Sequence, residues 1–177
     1  ASDVYKRELL DHYGWIWWKK RTPDVDQIAL EIVDIWHFGL SLMLLTGDSS
    51  DDIIQRVETA FAEPESGGDF AADLEDFTEH TLATKDFDLV GFARLMVGIK
   101  MDFETLYVGY VGKNVLNFFR QDNGYKDGSY QKQWAGVEDN EHLVDIVADL
   151  DTSSASFADD LYTNCLLYTS PSPRDVE

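Results

Sequence analysis

The chain has 177 residues, 44% of them hydrophobic and 13% aromatic, enough for one compact domain or a core with a small appended lobe. Fourteen basic residues face 34 acidic ones, a net charge of −20, which repels nucleic acid and anionic membranes; no nucleic-acid or membrane partner is expected. A single cysteine, Cys165, excludes disulfides and cysteine-rich zinc sites, and the richest apolar stretch, from Ile28 to Leu45, is interrupted by Glu31, Asp34 and His37, so the chain reads as soluble and cytoplasmic.

Taken in chain order, residues 1–7 (Ala1 to Arg7) resemble one reading frame of a transposase sequencing adapter, and residues 165–177 resemble the opposite adapter. Both ends are therefore set aside as foreign, and residues 1–7 and 165–177 are expected to lack core contacts. Residues 8–20 are predicted to continue a helix that ends at the Arg21-Thr22-Pro23 break. Asp24 caps a second helix reaching to about Gly47, and Ser49 or Ser50 opens a third, with Ile53, Ile54, Val57 and Phe61 at helical spacing. After the break from Pro64 to Gly68, helices are predicted over 69–83, 87–99 and 102–121, the last capped by Asp102. A loop with two glycine turns covers 122–136, and helices over 138–149 and 155–164 close the domain. No segment alternates with period two, so the predicted fold class is all-α, a helical bundle without a sheet.

The second helix is apolar nearly all round, which predicts a buried helix, yet Gln27, Glu31, Asp34, His37 and Ser41 recur at spacings of three and four. Carboxylates in such a helix are costly unless a cation pairs with them. The preceding helix offers Glu8 and Asp11, and two helices presenting carboxylates to one groove build an all-oxygen site suited to Mg2+. Residues 113–132 carry four basic residues (Lys113, Arg120, Lys126 and Lys132) against two acidic ones, a local excess of two in a strongly acidic chain. Lys113, Asn117 and Arg120 share one helical face, and the loop from Asn123 to Tyr130 supplies donors for a phosphate chain. Carboxylates for a metal together with a basic cluster are the ingredients of polyphosphate chemistry.

Three segments carry a family resemblance: Glu8 to Lys20, the run Glu31-Ile-Val-Asp-Ile-Trp-His-Phe38, and Gly112 to Tyr130; Glu138 to Leu143 fits the family's C-terminal helix. Together they resemble the dimeric dUTPases of the all-α nucleotide pyrophosphatase superfamily. The resemblance implies a homodimeric, Mg2+-dependent hydrolase taking dUTP to dUMP and pyrophosphate. It implies Glu8, Glu31 and Asp34 as metal ligands and catalytic carboxylates, and Trp17 and His37 in the nucleoside pocket. Lys113, Asn117, Arg120, Tyr125, Lys126 and Lys132 fall in the phosphate-binding segment. The first Glu of the family's Glu-x-x-Glu pair would fall at Tyr5, and the helix before it, which contacts uracil, is not matched, so weak activity is expected of this sequence. Hydrolysis of dCTP, or of deoxynucleoside triphosphates more broadly, is the enzymatic alternative. An acidic helical protein that mimics DNA is the alternative of another class; it needs carboxylates exposed in rows.

Overall fold

The computed structural model describes residues 15–16, 19–20, 24–65 and 68–169. Among them are seven helices: α1 (Val25–Leu45), α2 (Ser50–Phe61), α3 (Phe70–Thr84), α4 (Leu89–Gly98), α5 (Phe103–Asp122), α6 (Asp139–Ala148) and α7 (Phe157–Thr169). Two short antiparallel pairs accompany them, β1 (Trp15–Ile16) with β2 (Lys19–Lys20) and β3 (Gln133–Trp134) with β4 (Val137–Glu138). The class is all-α. Two compact units divide the chain, the first through Leu106 and the second from Tyr107.

The helices begin where short polar side chains can accept hydrogen bonds from otherwise unpaired N–H groups. Asp24 accepts from the Gln27 amide, Asp69 from Ala71, Asp88 from Gly91 and Asp102 from Thr105. Ser49 and Asp52 satisfy each other's amides in a reciprocal capping box.

The expectation of no sheet is corrected in two places. Residues 15–16 and 19–20 pair as strands where a continuous helix over 8–20 is predicted. Gly14 interrupts that segment, and β-branched and aromatic residues around Ile16 favour extended backbone over a short helix with little intrinsic stability. The second place is the hairpin of β3 and β4, whose two turn residues, Ala135 and Gly136, have φ of 50° and 85°. Positive φ at both central positions gives a turn whose twist matches the strands it joins. Alanine gives no sequence signal for that conformation, which is why the hairpin reads as loop.

In the first unit, α1 buries Ile28, Ile32, Val33, Trp36, Gly39 and Met43 on one face. Trp36 stacks on Phe92 at 5.3 Å and meets Phe61, Phe87 and Phe103 edge-on, a cluster in which each aromatic pair contributes about 0.5–1.5 kcal/mol beyond its buried area. A Cβ at position 39 would lie 2.5 Å from the Phe87 ring, so only glycine lets that ring approach the helix. By length and composition α1 could cross a membrane, but its buried face is occupied by these aromatics of its own unit. The prediction of a helix buried all round is corrected: Leu30, Phe38, Leu44 and Leu45 are exposed. Composition alone cannot distinguish a helix buried on every side from one with a second, open apolar face.

The second unit is built around Phe119, which is fully buried and packs its ring against Trp134, Tyr162 and Tyr130 at 5.5, 5.4 and 6.4 Å. Leu116, Ile146, Phe157, Leu161 and Cys165 complete this core. Helix α7 runs five residues past Asn164, and Cys165 is fully buried. The expectation that residues 165–177 lack core contacts therefore fails at Cys165, while residues 1–7 and 170–177 lie outside the described residues. A small apolar side chain in register with Phe157 and Leu161 continues the buried face whatever the origin of the residue.

Candidate active site

Glu31 and Asp34 stand one turn apart on α1, each half-buried beside the fully packed Ile32 and Val33. Within the Glu31 carboxylate, Oε2 is shut away from solvent. One turn further along, His37 is half-buried, its ring edge-on to Phe38 at 5.7 Å, while its carbonyl accepts the Ser41 hydroxyl at 2.9 Å. Ser41 thus serves the helix backbone, and the half-buried polar stripe left on this helix is Glu31, Asp34 and His37. The donor set is oxygen-rich and anionic, which fits a hard divalent cation such as Mg2+. Among the described residues no three histidine, cysteine or carboxylate groups converge as a complete metal site. Glu8 and Trp17 lie outside the described residues.

The basic segment belongs to the second unit. Its central feature is an ion pair: Arg120 on α5 donates from Nε to Oδ2 and from Nη2 to Oδ1 of Asp139, both at 2.8 Å. Arg120 Nη2 also reaches Asn140 Oδ1 at 3.0 Å, and Nη1 reaches Asn117 Oδ1 at 3.4 Å. Asn117 and Arg120, paired on spacing alone, are therefore brought together. Nε and Nη2 are thus committed to Asp139 and Asn140, leaving the Nη1 edge least committed. Lys113 is half-buried one turn before Asn117, whereas Tyr125, Lys126 and Lys132 are exposed on the loop.

The loop is held by its own backbone. The Gly124 carbonyl accepts the amides of Ser129 and Tyr130, the Tyr125 amide returns to the Arg120 carbonyl, and Asp127 accepts both the amide and hydroxyl of Ser129. Gly124 has φ of 95°, and a Cβ there would sit 2.0 Å from Ser129 Oγ, so the turn requires glycine. Tyr130 donates its hydroxyl to Asp139 Oδ2 at 2.8 Å, and the Asp139 amide donates to the Lys132 carbonyl at 2.8 Å.

Asp139 is the residue that sequence reasoning missed. It is fully buried at the first turn of α6, where the helix dipole favours an anion. Burial alone would raise its carboxyl, but the donors of Arg120 and Tyr130 outweigh that and hold it below the usual carboxylate range. The same pair raises Arg120, chiefly through the hydrogen bonds to Asp139. Burial and donation to Asp139 together push the Tyr130 phenol up. The only sequence hint was an acidic residue beside a helix start, a pattern that capping explains equally well.

A concavity of about 520 Å³ in the first unit is lined by residues including Arg56, His80, Asp86 and Asp88 and contains neither Glu31 nor Asp34. Arg56 there is committed to Asp48 and Asp86, bracing the α1–α2 turn against the α3–α4 junction.

With this geometry in view, the sequence model of a family described as dUTPase matches residues 4–125, more than half of the chain. The chain belongs to the dUTPase family. The match bears out the resemblance to the dimeric all-α dUTPases and indicates dUTP diphosphatase activity. It spans Glu31, Asp34, His37, Lys113, Asn117 and Arg120, and begins at residue 4, within the segment set aside as foreign. Lys126, Lys132 and Asp139 lie beyond its end. A search of curated proteins gives no match.

Proposed function

We propose that this dUTPase-family chain hydrolyses dUTP to dUMP and pyrophosphate with Mg2+, using Glu31, Asp34 and Glu8 as the acidic group and residues 113–132 as the phosphate-binding segment. The observation that carries the reading is the pair Glu31 and Asp34, one turn apart on a core helix, with one Glu31 oxygen out of reach of solvent. Half-burial of this pair also favours an enzyme over a DNA mimic, whose carboxylates would stand exposed.

Mg2+ held by these carboxylates would supply charge neutralisation and polarise phosphoryl oxygens. A carboxylate of the set takes a proton from the attacking water. The resulting oxygen nucleophile bonds to phosphorus as the Pα–O–Pβ bridge breaks, and pyrophosphate leaves with the bridging electron pair. Lys113, Lys126 and Lys132 offset the charge of the leaving group, and Arg120 directs its Nη1 edge to a phosphoryl oxygen. Trp17 and His37 hold the nucleoside, and hydrogen bonds in that pocket select uracil over cytosine. A homodimer is part of the reading, supported by the exposed Leu30, Phe38, Leu44 and Leu45 on α1. Pyrophosphate release from each of dUTP, dCTP, dATP, dGTP and dTTP, with and without Mg2+, tests it: dUTP should lead, only with metal, and equal release from all five overturns the selectivity.

A further inference from the structure

We propose that Asp139 is a positioning residue for phosphate binding, fixing Arg120 and the basic loop in a single arrangement through one buried carboxylate. The inference rests on the reading that residues 113–132 bind the substrate's phosphates, and it adds a residue outside that segment and outside the family match.

Three chain segments meet at this carboxylate. From α5 comes Arg120, whose Nε and Nη2 are both bound at 2.8 Å. The loop contributes Tyr130, whose hydroxyl shares Oδ2, and the Lys132 carbonyl accepts the Asp139 amide. Asp139 itself opens α6, and Asn140 beside it takes a further Arg120 donor at 3.0 Å. A two-point contact to a planar guanidinium sets its orientation as well as its position. With the Nε side locked, the Nη1 edge, next to Asn117, is the part of Arg120 that can meet an incoming anion.

The Tyr130 hydroxyl acts on the other half of the segment. Tyr130 shares the Gly124 carbonyl with Ser129, so fixing its ring fixes the turn that bears Tyr125 and Lys126. The Tyr125 and Tyr130 rings lie 6.3 Å apart, tilted against each other. Loops that bind polyphosphate lose affinity when they must be ordered by the ligand, because the ordering entropy is then charged to binding. A loop already anchored to a buried carboxylate avoids that loss. Asp139 does not touch substrate in this scheme; it acts through Arg120 and Tyr130.

The test uses the full chain and inorganic pyrophosphate as the probe, with affinity measured by calorimetry and thermal stability measured in parallel. Tyr130→Phe removes one hydroxyl from the carboxylate and leaves the ring; it should weaken pyrophosphate about three- to tenfold. Asp139→Asn should weaken it further, and in steady-state assays both should raise KM for dUTP more than they lower kcat. Lys126→Ala reports on the segment itself. If Lys126→Ala weakens pyrophosphate while Tyr130→Phe and Asp139→Asn lower only the melting temperature, Asp139 is a fold brace and the proposal is overturned alone. If all three variants bind pyrophosphate as the parent does, the phosphate-binding reading of the segment falls with it.

Discussion

Arg120 and Asp139 meet edge to edge through two hydrogen bonds of 2.8 Å, with the carboxylate fully buried and the guanidinium mostly so. Removing one partner of such a pair strands the other charge in a poorly solvated place, at a cost of about 3–5 kcal/mol. Asp139→Ala should destabilise the second unit by about that amount in urea denaturation, and Arg120→Met together with Asp139→Leu should cost far less than the sum of the single changes.

The same pair makes stability depend on pH. The Asp139 carboxyl titrates below its ordinary value of 3.8 in the fold, so its contribution is fully present above the unfolded value and is lost as pH falls through the folded one. Denaturation midpoints measured from pH 6 down to pH 2 should fall less steeply in Asp139→Asn than in the parent. Equal slopes would mean that the carboxylate contributes nothing to acid sensitivity.

Turn chemistry supplies a stabilising change. Ala135 occupies the left-handed region at φ 50°, where a Cβ is disfavoured by about 1–2 kcal/mol. Ala135→Gly relieves that, and Ala135→Asn creates the dipeptide most favoured in this turn; either should raise stability by about 0.5–1 kcal/mol in chemical denaturation. Gly124→Ala should do the reverse, displacing Ser129 and weakening pyrophosphate binding together with stability.

Cys165 offers a probe of the C-terminal helix. Its thiol is fully buried, and burial, with a smaller contribution from the Asp139 charge, pushes it up to about 11. At pH 8 it should resist a thiol reagent in the folded chain and react at once in denaturant. Rapid labelling of the native chain would show that α7 does not pack as described.

Much of the fold was legible because helix starts are local. Asp24, Ser49, Asp69, Asp88 and Asp102 each announce a cap within three residues of the amide they serve. The β3–β4 hairpin was hidden because its turn uses alanine where Asn or Gly would have signalled it. In the candidate site, Glu31 and Asp34 stood out as charges in an apolar helix, and the pairing of Asn117 with Arg120 followed from spacing. Asp139 did not stand out, because its partner Arg120 lies 19 positions away and only tertiary folding brings them together. The open face of α1 was hidden for a related reason: sequence shows which residues are apolar, and only packing shows which of them are covered.

The measurement that bears most directly on the central claim is Mg2+-dependent pyrophosphate release from dUTP by the Tyr5→Glu chain and its Glu31→Gln and Asp34→Asn derivatives. The resemblance implies a carboxylate at position 5, and on that reading Tyr5→Glu should release pyrophosphate at least about tenfold faster than the parent sequence, the low end of what one lost group at a metal site costs. Glu31→Gln and Asp34→Asn should each then lower the rate about a hundredfold or more and weaken Mg2+ binding. Release that is unchanged in both derivatives, or that proceeds equally without Mg2+, would contradict the account.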